Sequence, residues 1–342
     1  MIEKKITEIE TVVQGIFHSV GVSKEDAIIL TDTLIDAEIT GVESHGLLRL
    51  RPYVERLQKQ LINPTPQIKL VEDKESILVI DGDNGLGQIV TNKTLELCFD
   101  RLQSRTTIMA TVRNSNHFGT SGYYSRMAAK RGYLAIVASN ASPTMAPWGG
   151  LTPLLGTNPI AMSFPSGEDE HFTLDMATSA SAKGRIRTFE RDGKELPAGV
   201  AVDKEGYETT NPKKALEGTL LPIGQHKGYG LSMFIDVLCA GLSQANLSYE
   251  SESMFKSKKN ANIGHFFLLI KIEDIINLEN FNLRVSKWFD VIKNADTRPG
   301  YENIFIPGEI ENNKRLQQKD TMLINEKTYN EIFEIADSLG ML

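Results

Sequence analysis

The stretch IMATVRNSNHFGTSGYY, residues 108–124, combines a short apolar run, a glycine-containing turn and the start of a helical pattern. His117 lies in the turn, and Gly119 and Gly122 follow it with two hydroxyl residues between them. Loops that follow a rigid strand often present reactive side chains, and histidine exchanges protons near neutral pH. Glycines at a helix start let backbone N–H groups approach an anion. The stretch predicts a strand–turn–helix unit with an acid/base histidine, although an ordinary polar turn fits these residues equally well.

On either side of this unit, short apolar runs alternate with helical patterns, which predicts a mixed α/β sheet. The predicted strands are 77–80, 108–112, 134–138, 160–164, 172–175 and 266–272, and the predicted helices are 88–102, 123–130 and 230–244. The polar segment 190–218 is expected to form a long excursion or lid, and the polar segment 248–261 is expected to be exposed.

The first 62 or so residues show helical spacing of apolar residues and predict three helices, the first from Ile2 and the third from Ser44 or Gly46. On a helical wheel of about 100° per residue, His45, Arg49 and Tyr53 form a polar stripe beside the apolar face. An arginine there can bind a carboxylate through two parallel hydrogen bonds. A solvated helix edge explains the same spacing slightly better. The segment 63–66 is the best candidate boundary, and the tail after residue 309 is predicted to be helical again.

Composition and charge limit the classes of function. The chain has 342 residues, with 41% hydrophobic and 24% charged residues, as in ordinary soluble globular proteins. Its net charge of −7 argues against nucleic acid or an anionic membrane as the main partner. The two cysteines lie far apart, no run of about 18 apolar residues occurs, and the N-terminus lacks a signal-peptide pattern. We therefore expect a reduced, soluble, cytoplasmic protein.

Several familiar motifs are missing from the sequence. There is no G-x-G-x-x-G fingerprint, no Walker A loop, no H-E-x-x-H and no G-x-S-x-G. The six histidines have no metal-ligand spacing, so no metal is expected. The run GQHKGYG at 224–230 places Lys227 before an apolar helix, where it can meet a phosphate or carboxylate, or lie exposed in a turn. The run DMATS at 175–179 can hold a ribose or an amide, or form an ordinary tight turn.

Taken together, these motifs resemble the malate/L-lactate dehydrogenase family of nicotinamide-dependent 2-hydroxy acid oxidoreductases, which do not use a Rossmann fold. Relatives in that family include ureidoglycolate and sulfolactate dehydrogenases, diketogulonate reductases and cyclic imino acid reductases. The resemblance covers nearly the whole chain in order. It is carried by GVESHG at 41–46 with Arg49 and Tyr53, DGDNGLG at 81–87, NHFGTSG at 116–122, MAPWGG at 145–150, GTNP at 156–159, DMATS at 175–179, KGYGL at 227–231 and IPGE at 306–309.

The resemblance implies an α/β (α+β) fold with a mixed, largely antiparallel sheet, flanking helices and a helical subdomain. The implied domains are a helical subdomain of residues 1–70, joined by the C-terminal 310–342, and an α/β cofactor-binding subdomain of residues 71–309. Family members are typically homodimers, so a homodimer is expected.

The resemblance also implies roles for particular residues. His117 matches the catalytic acid/base, and Ser44, His45, Arg49 and Tyr53 match the substrate-binding cluster. The positions that match contacts to NAD or NADP are Asn140, Asp175, Met176, Ala177, Lys227, Pro307, Gly308 and Glu309. The pair Gln225-His226 departs from the family pattern, as does the polar stretch 248–261, which puts the pocket shape and specificity in question.

The expected reaction is hydride transfer between nicotinamide and C2 of a small 2-hydroxy or 2-oxo acid, of the malate, lactate, ureidoglycolate or sulfolactate type. Within the enzyme class, the alternative is an NADPH-dependent reductase of diketogulonate or of a cyclic imino acid. Two other classes remain: a hydrolase or lyase that uses the same histidine and arginine, and a non-catalytic binding protein.

Overall fold

The structure is a computed structural model that describes residues 1–167, 171–254 and 259–341. Its α-helices are α1 Ile6–Ser19, α2 Lys24–Ile39, α3 Leu50–Gln58, α4 Gly87–Arg101, α5 Ser121–Ala129, α6 Lys183–Arg191, α7 Pro212–Glu217, α8 His226–Asp236, α9 Leu278–Lys293, α10 Glu309–Gln317 and α11 Glu326–Ser338. Its strands are β1 Ile2–Lys5, β2 Lys69–Lys74, β3 Ile77–Asp81, β4 Thr107–Ser115, β5 Tyr133–Ser139, β6 Ile160–Pro165, β7 His171–Met176, β8 Ala201–Val202, β9 Thr219–Leu220, β10 Ile263–Lys271 and β11 Thr321–Ile324.

A seven-stranded sheet forms the centre of the molecule, with the strand order β2-β3-β4-β10-β5-β6-β7. The β3–β4 pair is parallel, and the other neighbouring pairs are antiparallel. A Rossmann sheet is mostly parallel, so the expected mixed, largely antiparallel α/β fold is confirmed. All six predicted strands are present, whereas the edge strand β2 and the strand β1 were not predicted.

The sheet is covered on both faces, and this fixes the position of the turn that carries His117. On one face, α4 and α5 bury a core with β3, β4 and β5 that includes Leu95, Val112 and Tyr124. On the other face, Ile235 and Cys239 from α8 and the turn after it pack against Phe266 of β10. His117 follows β4, which pairs with the central strand β10. His117 therefore lies just past the end of a strand in the middle of the sheet.

A second core lies between helices from both ends of the chain, α1, α2, α3 and α11, which we call the helical layer. It joins residues of α1, α2 and α3 to Met322, Ile324, Ile332 and Ile335 near the C-terminus. Leu86 and Ile89, from the segment 71–309, belong to the same core. The division of the chain at residue 70 therefore remains a prediction.

The prediction that the first helix starts at Ile2 is wrong. Residues Ile2–Lys5 form β1, which pairs antiparallel with β11, and α1 starts at Ile6. The local spacing of apolar residues did not reveal this strand, because its partner lies more than 300 residues away in the sequence.

The prediction of a continuous third helix from Ser44 or Gly46 is also wrong. Two short 3₁₀ turns, Glu43–His45 and Leu47–Arg49, precede α3. Gly46 separates them, and a Cβ at Gly46 would lie 2.3 Å from an oxygen of the Glu38 side chain. The helical wheel therefore does not apply to His45 and Arg49, which come near Tyr53 for a different reason.

The segment 190–218, predicted as a long excursion or lid, lies outside the seven-stranded sheet and is ordered. It contains β8 and α7, and its apolar residues form a small core with the preceding helix α6. The members of this core are Met145, Leu155, Ile186, Leu196, Val200, Ala201, Ala215 and Leu220. We call this unit, residues 183–220 with its contacts to Met145 and Leu155, the small lobe.

Two other expectations need correction. The helix expected at 230–244 begins at His226 as α8 and continues after Asp236 as a π-helical turn, Val237–Gly241. The segment 248–261 is not uniformly exposed, because Ser248 is fully buried and its backbone N–H donates to Asp236 at 3.0 Å. Residues 255–258 of that segment lie outside the described part of the chain.

Candidate active site

His117 and Tyr53 meet where the helical layer faces the sheet. The Tyr53 hydroxyl lies 2.6 Å from Nδ1 of His117, and Tyr53 is fully buried. The backbone N–H of Gly119 also points at Nδ1, at 3.4 Å. Since Tyr53 and Gly119 occupy the Nδ1 side of the ring, Nε2 is the nitrogen available to a substrate.

The residues of the two 3₁₀ turns complete this cluster. The His45 ring stacks on the His117 ring with centroids 5.4 Å apart. The Ser44 hydroxyl lies 3.0 Å from Nδ1 of His45, and Nε of Arg49 donates to the Ser44 carbonyl at 2.6 Å. The structure thus brings His117, the expected acid/base, together with the four residues that the resemblance assigned to substrate binding, Ser44, His45, Arg49 and Tyr53.

Electrostatics keeps both histidines of this cluster neutral. Burial lowers the pKa of His117 well below its usual range, and the charge of Arg49 and the nearby His45 and His265 lower it further. Burial, with Arg49, lowers the pKa of His45 to about 3. Burial also raises the pKa of Tyr53 to about 12, although Arg49 opposes this shift. The site is therefore a positive guanidinium beside neutral rings, an arrangement that attracts an anion.

Two further residues that support His117 were not anticipated from the sequence. His265 of β10 is buried, stacks on Phe118 with centroids 4.5 Å apart, and bonds to the hydroxyls of Ser139 and Ser115 at 2.9 and 2.8 Å. Gln88, at the start of α4, is fully buried near Tyr53, and its side chain lowers the pKa of the Tyr53 hydroxyl against the effect of burial. Neither its amide nitrogen nor its oxygen has a well-formed hydrogen bond. No local motif marks either residue, because each acts through a contact far away in the sequence.

The end of β7 supplies the first group of predicted cofactor residues. The Asp175 carboxylate accepts a hydrogen bond of 2.8 Å from the Gly122 N–H in the first turn of α5. Protein atoms crowd the carboxyl group and raise its pKa to about 6, against the effect of that hydrogen bond. The residue as a whole remains open to solvent, and Met176 and Ala177, which follow it, are half-buried. The Asp175 carboxylate is therefore held by α5, while the residue stays accessible from the solvent.

The end of β7 also meets the other predicted cofactor residues. A Cβ at Gly228, next to Lys227 in the first turn of α8, would lie 2.7 Å from the Thr178 carbonyl oxygen. Gly308 has a φ of +92° and leaves no room for a Cβ beside Thr173 of β7, which donates to the Pro307 carbonyl at 2.9 Å. Although burial opposes ionisation, hydrogen bonds from Lys293 and the Ile306 N–H lower the pKa of Glu309. The Lys227 segment and the Pro307–Glu309 turn therefore both pack on β7 or the residues just after it.

Asn140 differs from the other predicted cofactor residues because its side chain is buried and fully engaged with the protein. Its amide nitrogen donates to Asp236 and to the Asn246 carbonyl at 2.9 and 2.7 Å, and its oxygen accepts from the Gly264 N–H at 3.0 Å. These bonds join β5, α8 and β10. A cofactor contact at Asn140 stays a prediction, and the geometry gives its side chain a structural role.

The groups around β7 fit a nicotinamide dinucleotide. Asp175 offers a carboxylate acceptor at the first turn of α5, where helix N–H groups lack internal partners. In the same turn, the buried Ser121 hydroxyl has no hydrogen-bond partner among the described residues. The Gly122 backbone approaches Asp175 so closely that a Cβ would lie 2.9 Å from its carboxylate. Polar groups and close backbone therefore meet at the start of α5, which begins four residues after His117 in the chain.

Two further findings concern the part of the chain that the structure describes. It contains no group of three or more histidine, cysteine, aspartate and glutamate side chains arranged to hold a metal ion. Within the same residues, no helix is both long enough and apolar enough to cross a membrane.

The Tyr53→Phe change tests the support that His117 receives. It removes the hydroxyl 2.6 Å from Nδ1 and keeps the buried ring, so we expect kcat to fall roughly three- to tenfold, the value of one hydrogen bond. Steady-state kinetics measures this loss. Tyr329→Phe is a matched control, because the Tyr329 hydroxyl bonds to Glu8 in the helical layer. If both variants had wild-type kcat, Tyr53 would not orient His117.

Comparison with known proteins supports the same assignment. The family model for malate/L-lactate dehydrogenase matches residues 5–333. L-sulfolactate dehydrogenase from Methanocaldococcus jannaschii is 40% identical over 94% of this chain and 92% of its own length. Its solved structure superposes with a TM-score of 0.93 over 99% of this chain and 98% of that one.

Two malate dehydrogenases are also similar. The enzyme from Pyrococcus horikoshii is 38% identical over 95% of this chain and 92% of its own length. The crystal structure of the enzyme from Entamoeba histolytica has a TM-score of 0.93 and 32% identity over 99% of both chains. The expected family, reaction class and type of cofactor are confirmed, and the chain belongs to the malate/L-lactate dehydrogenase family of NAD- or NADP-dependent hydroxy-acid oxidoreductases.

Proposed function

We propose that this protein transfers a hydride reversibly between nicotinamide C4 and C2 of a small 2-hydroxy or 2-oxo acid of the malate, lactate or sulfolactate type. The observation that carries the proposal is the cluster in which His117 bonds to Tyr53 and stacks on His45 beside the positive Arg49. Such a site offers a proton acceptor and a carboxylate-binding group in one place.

Each side chain of the cluster has a role in the proposed reaction. Arg49 binds the substrate carboxylate, and His45 and Ser44 orient the oxygen on C2, while Tyr53 acts on the substrate through His117. In reduction, Nε2 of His117 gives a proton to that oxygen, and in oxidation it takes the proton back. Tyr53 holds the Nδ1 side of His117 throughout, since its hydroxyl can both donate and accept a hydrogen bond.

A bound NAD or NADP supplies the hydride acceptor, and its reduced form supplies the hydride. We propose that Asp175, Met176 and Ala177 hold the cofactor beside His117, with Lys227 and the turn Pro307, Gly308 and Glu309 as further contacts. We propose that Asn140 contributes to the cofactor site indirectly, because its side chain joins β5, α8 and β10. This arrangement brings the two reactants together, which is where such sites gain much of their rate.

The lowered pKa of His117 predicts how the rate depends on pH. Free enzyme near neutral pH holds His117 uncharged, whereas reduction needs its protonated form. Because the pKa lies below its usual range, kcat/KM for a 2-oxo acid should fall about tenfold per unit as pH rises through neutrality. Oxidation uses the neutral form and should show no such fall. Rate profiles in both directions measure this, and a flat profile for reduction would remove His117 as the proton donor.

We also propose that the protein is a cytoplasmic homodimer. The support is a row of large apolar side chains exposed on α8 and the turn after it, namely Met233, Phe234, Val237 and Leu242. Contiguous exposed apolar surface on this scale is often covered by a partner. The molar mass in solution, measured by light scattering, tests the dimer.

The experiment that tests the proposed reaction follows the ultraviolet absorbance of the reduced nicotinamide. NADH and NADPH are each tried with oxaloacetate, pyruvate, sulfopyruvate, diketogulonate and piperideine carboxylate. Ureidoglycolate is tested with NAD and NADP; it is a weaker candidate, because the relative named for it is 28% identical over 93% of this chain. Turnover of a 2-oxo acid supports the proposal. Turnover of diketogulonate or the imino acid alone favours the alternative reductase. The absence of both turnover and cofactor binding would overturn the proposal.

A further inference from the structure

The first turn of α6, in the small lobe, lies against the edge of the substrate cluster. A Cβ at Gly184 would lie 3.4 Å from Cβ of Ser44. Ile186 is fully buried in the core of the small lobe, which fixes the rotation of α6 about its axis. The face of α6 that carries Gly184 therefore faces the 3₁₀ turns of the site.

Arg187 is on nearly the same side of α6 as Gly184. At about 100° per residue, Arg187 is about 60° from Gly184 around the helix, whereas Arg185 is about 100° away in the opposite direction. Residues three apart on a helix are neighbours. Arg187 is exposed to solvent, so its side chain is not in the buried interior of the site.

Arg187 and Arg49 are within electrostatic range of each other. Burial lowers the pKa of Arg49, Tyr53 opposes this shift, and the charge of Arg187 lowers the pKa again. Two guanidinium groups so placed repel each other, and a substrate that brings one negative group to each of them offsets this repulsion. One cation is deep in the site beside His45 and Tyr53, and the other is at its rim.

We propose that Arg187 binds a second anionic group of the substrate while Arg49 binds the carboxylate next to C2. The enzyme then selects 2-oxo and 2-hydroxy acids that carry a carboxylate or a sulfonate on the next carbon. A guanidinium forms two parallel hydrogen bonds with either group. This inference rests on the proposed function, since it names the substrate class of the same site.

The test compares substrates with one and two negative charges on wild type and on Arg187→Gln. Oxaloacetate and sulfopyruvate carry two charges, and pyruvate carries one. We expect KM for both doubly charged acids to rise roughly tenfold in Arg187→Gln, the effect of one charge-assisted hydrogen bond. KM for pyruvate and kcat for all three acids should stay within about twofold of wild type, because Arg187 is outside the reacting group.

Arg185→Gln is the matched control, with the same change of charge on the same helix but a different side of it. It should leave KM for all three acids unchanged, and circular dichroism should show that both variants are folded. Comparison of oxaloacetate with sulfopyruvate then tells whether the rim of the site prefers a carboxylate or a sulfonate.

Three results would overturn the inference, and they can be told apart. Equal losses for pyruvate and the doubly charged acids would mean that Arg187 acts on the site in general. An Arg187→Gln variant with wild-type KM for all acids would remove the second anion site and leave the proposed reaction standing. Wild type that reduces no 2-oxo acid would overturn the proposed function itself.

Discussion

Replacing His117 by alanine should lower kcat by at least about a hundredfold, which is the usual cost of removing a general acid/base. The change leaves Tyr53 without the ring that it contacts at 2.6 Å, and it removes the nitrogen that exchanges the proton. Steady-state kinetics in both directions measures the loss. We expect the loss in kcat, because His117 acts on the reacting oxygen more than on substrate binding.

The control is His18→Ala, since His18 is an exposed histidine on α1 in the helical layer. That variant should keep wild-type rates, and His117→Ala should keep the far-ultraviolet circular dichroism of the wild type. A folded His117→Ala enzyme with near-normal turnover would show that another group exchanges the proton.

Replacing Arg49 by lysine should raise KM for every 2-oxo acid roughly 10- to 100-fold. A lysine keeps the charge but not the planar fork that binds a carboxylate through two bonds, and bonds to charged groups contribute about 1.5–3 kcal/mol each. The change also removes the Nε bond to the Ser44 carbonyl, so His45 loses part of its support. Initial rates over a range of acid concentrations measure KM.

Arg51→Lys is the matched control, two residues along the chain. Arg51 forms an ion pair with Glu331 on the helical layer, and exposed pairs of this kind contribute little to stability. An unchanged KM in Arg49→Lys would place the carboxylate elsewhere. The loss at Arg49 should extend to pyruvate, which separates its role from the role proposed for Arg187.

Much of the fold could be predicted from the sequence because its central strands are short, apolar and bounded by turns. All six predicted strands belong to the main sheet, and the helices α4 and α5 lie close to their predicted positions. The errors fall where a distant segment decides the local structure. Ile2–Lys5 is a strand because β11 pairs with it, and the third helix starts later than predicted because Gly46 packs against Glu38 of α2.

The site shows the same limit. Arg49, Tyr53 and His117 could be proposed from local motifs, and the structure brings their side chains together. Their grouping through an α-helical stripe was wrong, because Gly46 divides the segment into 3₁₀ turns. Gln88, His265 and Arg187 had no local signal at all. Gln88 and His265 lie near the site because distant segments of the chain meet there, and Arg187 comes near it through the packing of α6; local patterns in the sequence do not reveal such contacts.

The pairing of β1 with β11 has a consequence for how the enzyme is made in the cell. The helical layer under Ser44, Arg49 and Tyr53 contains Met322, Ile324, Ile332 and Ile335, which the ribosome adds long after it has made these three residues. Domains usually fold as they emerge, N-terminal parts first. Here the N-terminal helices must wait for β11 and α11, so we expect the group of Ser44, Arg49 and Tyr53 to reach its final arrangement only after these segments have been made. Synthesis halted before β11 would leave β1 without its partner strand and the N-terminal helices without part of their core.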